Sequence, residues 1–317
     1  MDLSNKRVLI TGAGGFIGSH IVESLLSDLS IPNSHILALS RKRGKLDHIL
    51  HKDQINFVPC DLLDQEKISQ TVVDFNPHII FHMASQPDAS EGFQQSVDTV
   101  DVNIQGTINL LDAFTKSNNP EVIVYGDSAK VYGTNAVPYS SKTPVGPNSS
   151  YAISKIAGWE YAKLFGNLHG FNAVSVRPTL VYGARQPLNL IKFVINCALR
   201  GDKSITLDGG LQTRAPLYID DAVDAYLLSL EHAYSVHGSV INVSGAEELS
   251  VQLIANTIID MMKADTSIII NQQKIRPTEM QRSYSDISEA KAMIGWSPKF
   301  NLSDGLKVLI DELVIAA

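Results

Sequence analysis

Cysteine is scarce in this sequence, and long apolar runs are absent from it. The 317 residues include two cysteines, Cys60 and Cys197, which are too few for a disulfide framework and have no neighbours at metal-ligand spacing. No run reaches the roughly 18 consecutive apolar residues that a membrane span needs, and no basic start followed by an apolar segment marks a secretory signal. We therefore expect free buried thiols, no metal site, no membrane segment and a location in the cytoplasm.

Positive charge is also in the minority. Lysine and arginine number 26 against 33 acidic residues, which gives a formal net charge of −7 and a sequence pI near 5.7. A nucleic-acid-binding protein is usually basic over a whole face, so this balance argues against such a partner. The segment RKRGK at 41–45 is an exception, because it places four cations in five positions. A cluster confined to so few residues indicates a local role.

Short apolar runs alternate with segments of helical spacing along the first half of the chain. Runs rich in branched residues predict buried strands at 7–11, 35–40, 55–59, 78–84, 121–126 and 172–178. Helical segments such as 16–29 and 150–168 lie between them. This alternation predicts an α/β fold with a doubly wound parallel sheet and helices on both faces.

The alternation loosens after about residue 180, where Pro, Gly and Asn become frequent and the elements shorten. We therefore expect a dinucleotide-binding domain at 1–178 and a smaller substrate-binding lobe at 179–317, with some exchange of strands and helices between them. The segment 302–317 has the pattern of a closing helix.

The glycine-rich segment TGAGGFIG at 11–18 follows the first predicted strand directly. Gly12, Gly15 and Gly18 stand three residues apart, where the chain turns from strand to helix and its backbone can approach a pyrophosphate. The helix that starts at Phe16 and Ile17 would offer its free amides and the positive end of its dipole to the phosphates. Glycines also serve ordinary tight turns, but this placement favours dinucleotide binding.

The basic cluster lies where the second strand ends, beside the expected position of the adenosine ribose. An acidic residue there would bond the ribose 2′-hydroxyl of NAD, whereas arginine accommodates the 2′-phosphate of NADP. This chain has Ser40, Arg41, Lys42 and Arg43 at that place. Arginine binds a phosphate bidentately, so Arg41 and Arg43 favour NADP, with NAD possible and a solvated basic turn as the alternative.

Asp61 follows the third strand. Its carboxylate could accept a hydrogen bond from the adenine amino group or could cap the next helix.

The segment YAISK at 151–155 places a tyrosine and a lysine on one helix face. We expect the Lys155 cation to lower the pKa of Tyr151, which would let the phenol act as an acid or base near neutral pH. Lys155 could also hold the nicotinamide ribose. The alternative is an ordinary exposed pair, but Ser128 in GDSAKVYG follows a predicted strand and could hydrogen-bond a reacting oxygen at the same sheet edge.

At this point the sequence resembles a known family, the extended short-chain dehydrogenase/reductases, which are often labelled NAD-dependent epimerase/dehydratase and act on nucleotide sugars. The resemblance runs from about residue 6 to 300 and is carried by TGAGGFIGSH, HMAS, VNIQGTINLL, SAKVYG, YAISK, RPTLVYG, RAPLYIDDAVDAY and DISEAKAMIGWSP. It implies a modified Rossmann fold, a C-terminal lobe that binds a nucleotide-diphosphate sugar, and a homodimer. The dimer would form a four-helix bundle from two long helices per subunit, at 98–117 and 150–168.

The resemblance also assigns site residues. It makes Ser128, Tyr151 and Lys155 the catalytic set, makes Asn103 a structural support, and directs Arg214 and Arg276 to the diphosphate, with surface ion pairs as the alternative for both arginines. The predicted cofactor-binding residues are Gly12, Gly15, Phe16, Ile17, Gly18, Ser40, Arg41, Arg43, Asp61, Leu62, Ala84, Ser85, Tyr151, Lys155 and Pro178. The predicted substrate-binding residues are Gln86, Ser128, Thr179, Asn189, Arg214 and Arg276.

The chain departs from the family at several site positions. The dehydratase branch has Thr, Asp and Glu where this chain has Ser128, Ala129 and Lys130, and the decarboxylase branch also has glutamate at the last of these. Because the acidic pair removes water from the sugar, 4,6-dehydration is expected to be absent. Thr179 and Leu180 stand where many relatives have an amide that touches the substrate, so the sugar pocket is expected to be unusual.

Three functions stay open. In a reductase, NADPH would reduce C4 of a 4-keto (or 4-keto-6-deoxy) sugar nucleotide while Tyr151 protonates the oxygen. In a 4-epimerase, bound NAD(P) would take the hydride and return it to the other face. In a non-catalytic sensor, NADP would bind without turnover. The basic cluster favours the NADPH-dependent reductase, because NADPH is the stoichiometric reductant of the cell.

Overall fold

A computed structural model describes residues 2–28, 30–49, 52–87, 93–272, 275 and 279–315. The strands are β1 Val8–Thr11, β2 Ile36–Ser40, β3 Phe57–Pro59, β4 Ile79–His82, β5 Val122–Gly126, β6 Asn172–Pro178, β7 Val181–Tyr182, β8 Ser204–Asp208, β9 Thr213–Arg214, β10 Leu217–Tyr218, β11 Val240–Val243, β12 Leu249–Ser250 and β13 Ser267–Asn271. The helices are α1 Phe16–Ser27, α2 Gln65–Phe75, α3 Phe93–Val100, α4 Gly106–Thr115, α5 Ser150–His169, α6 Leu190–Arg200, α7 Ile219–Glu231, α8 Val251–Met262, α9 Ser288–Ile294 and α10 Leu302–Ile315.

A seven-stranded parallel sheet forms the centre of the molecule, in the order β11-β6-β5-β4-β1-β2-β3. In the middle of the sheet, Val8 of β1 aligns with Ile36 of β2 on one side and with Ile79 of β4 on the other. The chain moves outward from β1 in both directions, as in a doubly wound fold. The predicted fold class is confirmed, and each of the six predicted strands is present.

The sheet is covered on both faces because its strands present apolar side chains alternately to each side. In β1, Val8 and Ile10 belong to one buried cluster, together with Ile21 of α1, while Leu9 between them belongs to the other. The second cluster is completed from α4 and α5, where Trp159 is 3% exposed. This two-sided burial explains why the strand sequences contain almost unbroken apolar runs.

The predicted helices are also present, with one irregularity. The segments predicted at 16–29 and 150–168 form α1 and α5, and the closing helix is α10. The helix predicted at 98–117 is divided, because a π-helical turn at Asp101–Gln105 separates α3 from α4. Such a turn inserts extra backbone into a helix and is often found at functional sites.

The second half of the chain supplies strand β11 to the central sheet and forms three two-stranded pairings, β7 with β10, β9 with β12, and β8 with β13. Asp221 in the first turn of α7 fastens the C-terminal segment, since its carboxylate accepts hydrogen bonds from the backbone amides of Lys299 and Phe300.

The division into two domains at residue 178 stays a prediction. Cys60 and Cys197 are buried free thiols, as predicted. Within the described ranges, no helix combines the length and apolar character needed to cross a bilayer.

Candidate active site

The carboxyl ends of the parallel strands bring the predicted site residues to one edge of the sheet. Thr11 ends β1, Ser40 ends β2, and Gly126 ends β5, two residues before Ser128. Ligands of doubly wound sheets bind outside these ends, at the point where the strand order reverses. In this sheet the reversal lies between β1 and β4.

The glycine-rich turn is shaped by close backbone contacts. Gly12 has a φ of +65°, and a Cβ added to it would lie 2.5 Å from the amide nitrogen of Ala84. A Cβ added to Gly18 would lie 2.4 Å from the carbonyl oxygen of Gly12, so α1 packs directly on the turn. Any side chain at these two positions would displace backbone, and the turn therefore depends on glycine.

The turn borders a cavity of about 540 Å³, a volume in the usual range of small-molecule sites. The described residues that line it are Gly12, Gly14, Gly15, Leu39, Ser40, Arg41, Lys42, Gly44, Cys60, Asp61, Leu62, Met83, Ala84, Ser85 and Val102. We call it the dinucleotide cavity. It brings together the turn, the basic loop and the ends of β3 and β4, as the sequence predicted, whereas Met83 and Val102 were missed because an apolar side chain carries no chemical signal.

The basic loop and the glycine-rich turn are interlocked. The amide of Gly14 donates to the hydroxyl of Ser40 at 3.1 Å, and the amide of Lys45 donates to the carbonyl of Gly14 at 3.0 Å. Gly44 has a φ of +55°, and a Cβ on it would lie 2.6 Å from that same carbonyl oxygen. The chain therefore needs glycine at Gly44 to pass close to the turn.

The arginines of the loop differ in position. Arg41 is exposed and lines the dinucleotide cavity together with Lys42. Arg43 is not among the lining residues: its guanidinium bonds the carboxylate of Asp47 at 2.8 Å and the carbonyl of Lys52 at 2.9 Å. Arg41 and Lys42 are thus the cations of this loop that line the cavity.

Asp61 lines the dinucleotide cavity and does not cap the following helix. Its carboxylate accepts from the amide of Leu63 at 3.1 Å, whereas Asp64 caps α2 by accepting from the amide of Lys67. The capping alternative for Asp61 is therefore wrong, and its carboxylate is positioned at the cavity wall.

The cavity fits a nicotinamide dinucleotide in its chemistry. At one end, the glycine-rich turn and the start of α1 expose backbone beside a space that any Cβ on the turn would fill. At the far end lie the Arg41 and Lys42 cations. In between, the buried hydroxyl of Ser85 has no hydrogen bond of good geometry, although it lies close enough to the Tyr151 hydroxyl to lower the pKa of that phenol. Its hydrogen bonding is therefore incomplete, and a ligand at this point of the cavity would complete it.

Ser128 and Tyr151 lie in the wall of a second cavity, and Lys155 is buried behind them. Lys155 Nζ donates to the carbonyl of Gly126 at 2.7 Å and lies 5.9 Å from the ring centre of Tyr151. Helix α5, which carries both residues, begins at a Ser149 cap whose hydroxyl accepts from the amide of Ala152. The predicted spacing therefore places phenol and ammonium on one side of this helix.

The predicted effect of Lys155 on Tyr151 is wrong for this structure. Burial and the nearby charge of Asp127 raise the pKa of Tyr151 to about 12, and the hydroxyls of Ser128 and Ser85 oppose this only partly. Burial also lowers the pKa of Lys155 to about 8, although Asp127 favours its charged form. At 5.9 Å from the ring centre, the Lys155 ammonium does not outweigh the loss of water around the phenol.

Sequence reasoning missed a buried ion pair immediately before Ser128. The Asp127 carboxylate accepts from Arg177 Nη2 at 2.7 Å and Nε at 2.8 Å, and from the Ser175 hydroxyl at 2.9 Å. Its other oxygen accepts from the amide of Ser128. Because both charged side chains are at most 5% exposed, the pair fixes the backbone that presents Ser128.

Asn103 supports the site as the resemblance implied. It lies in the π-helical turn, and its amide group bonds both the N–H and the C=O of Gln86, at 2.6 and 3.1 Å, and the hydroxyl of Ser154 at 2.9 Å. The backbone of Gln86 is therefore held by Asn103, although its side chain is not among the residues that line either cavity.

The second cavity, of about 480 Å³, is called the sugar cavity here. Its described lining residues are Pro87, Ser128, Ala129, Lys130, Asn148, Ser149, Tyr151, Pro178, Thr179, Leu180, Val181, Pro187, Asn189, Arg214, Glu279, Met280 and Ser283. Thr179 bonds the carbonyl of Ala215 at 2.7 Å, and Asn189 caps α6. Pro178 lies at this cavity and not at the dinucleotide cavity, to which it was assigned.

Arg214 lines the sugar cavity and is held by Glu279. Its guanidinium bonds that carboxylate and the carbonyls of Thr213 and Met280, at 2.7 and 2.8 Å. Burial lowers its pKa, and Glu279 partly opposes this effect. Arg276, the second arginine predicted for the diphosphate, lies outside the described residues.

Comparisons with known proteins are consistent with this geometry. A family model described as the NAD dependent epimerase/dehydratase family matches residues 8–244. The UDP-glucose 4-epimerase of Mycolicibacterium smegmatis is 28% identical over 314 residues, which cover 96% of this chain and 97% of that protein. The human dTDP-D-glucose 4,6-dehydratase is 29% identical over 318 residues, covering 96% and 89%.

A solved structure shows the same overall similarity. The UDP-glucuronic acid 4-epimerase of Bacillus cereus, in complex with UDP-glucuronic acid and NAD, is 26% identical, with a TM-score of 0.87 over 98% of this chain and 99% of that chain.

Proposed function

Because the chain belongs to the NAD dependent epimerase/dehydratase family, we propose that it is a nucleotide-sugar 4-epimerase, which oxidises one carbon of the sugar and then reduces it from the other face. The observation that carries the proposal is the position of Ser128 and Tyr151 in the wall of the sugar cavity, with Lys155 buried behind them. The similarity to the epimerases of M. smegmatis and B. cereus supports it. A dehydratase is disfavoured, because Ala129 and Lys130 provide no acidic pair at the sugar.

The residues of the chain would move a single proton. The Tyr151 phenolate accepts the proton of the sugar hydroxyl during oxidation and returns it to the same oxygen during reduction, while Ser128 donates a hydrogen bond to that oxygen. Lys155 stays fixed to the Gly126 carbonyl and adds positive charge to the site when protonated. A bound nicotinamide dinucleotide supplies the hydride acceptor and, in its oxidised form, a positive charge. Because the pKa of Tyr151 is about 12 without that charge, the chain alone keeps the phenol protonated at neutral pH.

We propose NADP as the preferred dinucleotide, although the B. cereus relative holds NAD. The support is the pair of cations, Arg41 and Lys42, at the wall of the dinucleotide cavity where an acidic residue would bond the ribose of NAD. The same pair favours a second candidate function, a reductase that consumes NADPH on a 4-keto nucleotide sugar.

One experiment separates the two functions. The purified protein is denatured and its released dinucleotide identified by mass spectrometry, and the native protein is then incubated with UDP-glucose and UDP-glucuronate, with products resolved by NMR. An epimerase forms the C4 epimer with no net absorbance change at 340 nm. Steady NADPH oxidation with a 4-keto sugar nucleotide and no epimer would contradict the epimerase. Tyr151→Phe is expected to abolish turnover, and Tyr234→Phe, at an exposed tyrosine outside α5 and outside the lining of both cavities, serves as the control.

A matched pair of variants tests the cofactor preference. Arg41→Ala is expected to weaken NADP binding more than NAD binding, because it removes a cation from the cavity wall. Arg43→Ala is the control, because that guanidinium is bonded to Asp47 and the Lys52 carbonyl. Equal losses for NADP and NAD in Arg41→Ala would overturn the preference.

We also propose a homodimer through the outer faces of α3 and α5. The support is an exposed apolar stripe on α5, where Ile153, Leu164 and Leu168 are 55%, 48% and 68% exposed. Val97 and Val100 are also exposed on α3, which packs against α5. Apolar residues this concentrated often mark an interface. Light scattering is expected to give twice the 34.6 kDa chain mass, and Leu164→Asp is expected to shift it toward the monomer.

A further inference from the structure

A buried histidine connects the strand before the glycine-rich turn to the helix that follows Asn103. His82 ends β4 and is 1% exposed. Its Nδ1 lies 2.7 Å from the hydroxyl of Thr11, which ends β1, and its Nε2 lies 2.8 Å from the hydroxyl of Thr107 in α4. Both threonines are buried as well. The imidazole therefore spans the gap between the central sheet and α4 with a hydrogen bond at each end.

The direction of these two hydrogen bonds follows from the other partners of the hydroxyls. The Thr107 hydroxyl donates its one hydrogen to the carbonyl of Asn103 at 2.7 Å, so it can only accept from His82 Nε2. Nε2 therefore carries a hydrogen, and in a neutral ring Nδ1 accepts from the Thr11 hydroxyl. That hydroxyl in turn accepts from the amide of Ala84 at 3.3 Å. One uninterrupted chain of hydrogen bonds results.

A charged imidazole does not fit between these partners. It would donate from Nδ1 to the Thr11 hydroxyl, which already accepts from the amide of Ala84 and whose own hydrogen would then need a further acceptor. Burial and the positive charge of Lys155 lower the pKa of His82 to about 3, which agrees with a neutral ring. The surroundings therefore select the neutral tautomer with its hydrogen on Nε2.

The chain of hydrogen bonds leads from the dinucleotide cavity to the helix of the catalytic tyrosine. Its first member, Ala84, lines that cavity. Its last member, Asn103, bonds both backbone groups of Gln86 and the hydroxyl of Ser154. Ser154 lies in α5, three residues after Tyr151, and its hydroxyl donates to the Tyr151 carbonyl at 2.8 Å. The cavity wall at 84–86 and the start of α5 are therefore joined through this network.

His82 fixes the element from which Asn103 acts. Asn103 can hold Gln86 and Ser154 together only while the π-helical turn keeps its distance from the sheet. His82 sets that distance, because it bonds β1 on one side and, through Thr107, the carbonyl of Asn103 on the other. A buried polar network whose members are all bonded is rigid. Resting on the proposed nucleotide-sugar function, we infer that His82, as the neutral Nε2–H tautomer, is a positioning residue that holds Tyr151 in place relative to the wall of the dinucleotide cavity.

A hydrogen-bonding role and a packing role predict opposite results for two variants of Thr107. Thr107→Val keeps the branched shape of the side chain and removes the hydroxyl, whereas Thr107→Ser keeps the hydroxyl and removes a methyl group. If the hydroxyl positions the site, serine is the better replacement, and if the core only needs to be filled, valine is. Thr115→Val is the matched control, because Thr115 lies in the same helix and bonds the carbonyl of Asp112 there.

Nitrogen-15 NMR tests the tautomer directly. The holoprotein is labelled at histidine, and the signals of His82 are identified by their loss in His82→Gln. We expect a protonated Nε2 and an unprotonated Nδ1 at neutral pH and also at about pH 5.5, where an ordinary histidine is mostly charged. A ring that is charged at the lower pH, or that carries its hydrogen on Nδ1, overturns the inference.

Hydrogen–deuterium exchange and kinetics test the positioning. The amide of Gln86 donates to the Asn103 side chain, so its exchange reports whether Asn103 still holds the cavity wall. In Thr107→Val we expect this exchange to be faster, and kcat to be lower, by roughly 10-fold each, which is the usual effect of one lost hydrogen bond. The Kd values for NADP and for the nucleotide sugar are expected to change much less than kcat. Thr107→Ser and Thr115→Val are expected to resemble wild type in all of these measurements.

The outcomes separate this inference from the proposed function. Unchanged exchange at Gln86 in Thr107→Val overturns the inference, as does a Thr107→Ser variant that is more impaired than Thr107→Val. A loss of NADP affinity as large as the loss of kcat also overturns it, because the defect would then lie in binding. If wild type converts no nucleotide sugar, the epimerase fails, and the tautomer and the Gln86 exchange still decide whether His82 joins the cavity wall to α5.

Discussion

Neutralising Asp127 is expected to destabilise the protein strongly. Asp127→Asn preserves the shape of the side chain but turns one acceptor into a donor, which then faces either the Arg177 and Ser175 donors or the amide of Ser128. The guanidinium of Arg177 is then left without its charge partner in a site where it is 5% exposed. Breaking one side of a buried pair costs about 3–5 kcal/mol, which is a large part of the stability of most domains. Urea unfolding followed by circular dichroism measures this loss, with Ser175→Ala as a control that removes one hydrogen bond and is expected to cost about 1 kcal/mol.

A double-mutant cycle decides whether the pair itself is responsible. Arg177→Met alone leaves the Asp127 carboxylate buried and unpaired, while the double variant leaves neither charge. The double variant is therefore expected to lose less than the sum of the single losses, with a coupling of at least about 2 kcal/mol. Additive losses would refute the reasoning, because they would show that the charges do not stabilise one another.

Asp127→Asn is also expected to change the pH dependence of activity. The Asp127 charge raises the pKa of Tyr151 and favours the protonated form of Lys155. Removing it lowers both pKa values, so the rise of kcat/KM with pH is expected to move to lower pH in Asp127→Asn. Ser175→Ala retains the charge and is expected to leave the profile in place. An unchanged profile in Asp127→Asn would mean that the phenol does not respond to this carboxylate.

Three further predictions concern buried polar groups. Burial lowers the pKa of Lys155 from 10.5 to about 8, so the charged lysine lowers the free energy of unfolding at any pH below 8. This destabilisation disappears as pH rises from 8 to 10.5, because the lysine then loses its proton in the unfolded chain as well. In urea unfolding, the stability advantage of Lys155→Met over wild type is therefore expected to shrink by about 3 kcal/mol across that window. Burial lowers the pKa of His82 from 6.5 to about 3, so as pH falls below 6.5 the imidazole is protonated in the unfolded chain before it is protonated in the folded protein. The free energy of unfolding is therefore expected to decrease between pH 6.5 and pH 3, and to be lower by about 3 kcal/mol near pH 4.5. In His82→Gln the free energy of unfolding is expected to fall less between pH 6.5 and pH 4.5 than in wild type. An equal fall in the two proteins would contradict this prediction. Asn103→Ala removes both bonds to the backbone of Gln86 and is expected to cost about 1–3 kcal/mol in unfolding free energy, whereas a loss below about 0.5 kcal/mol would show that this clamp is unimportant.

The parts of this molecule that follow local rules could be predicted from the sequence. Strands buried on both faces need continuous apolar runs, which makes β1 to β6 visible in the sequence. Gly12 and Gly18 could be assigned because the close contacts they allow admit no other residue. Parallel strands place their carboxyl ends together, so Ser40 and Ser128 could be located at one edge without any coordinates.

The remaining features depend on groups that are distant in sequence. Arg43 was assigned to the cofactor, but its neighbours Asp47 and the Lys52 carbonyl hold it elsewhere. The pairing of Asp127 with Arg177 joins the ends of two adjacent strands, and no local pattern indicates it. The direction of the Tyr151 pKa shift was missed for the same reason, since burial and Asp127 outweigh the lysine four residues along the helix.

The contact between Gly14 and Gly44 makes the basic loop and the glycine-rich turn a single structural unit. Any exchange of one dinucleotide for another, in the laboratory or in evolution, must therefore preserve this contact and the Ser40 hydroxyl that spans it. Grafting a whole loop from an NAD-dependent relative is therefore expected to disturb the glycine-rich turn as well. The side chains at 41 and 42 are exposed at the cavity wall and take no part in this contact, so we expect a switch of nucleotide selectivity in this scaffold to be achievable through those two positions.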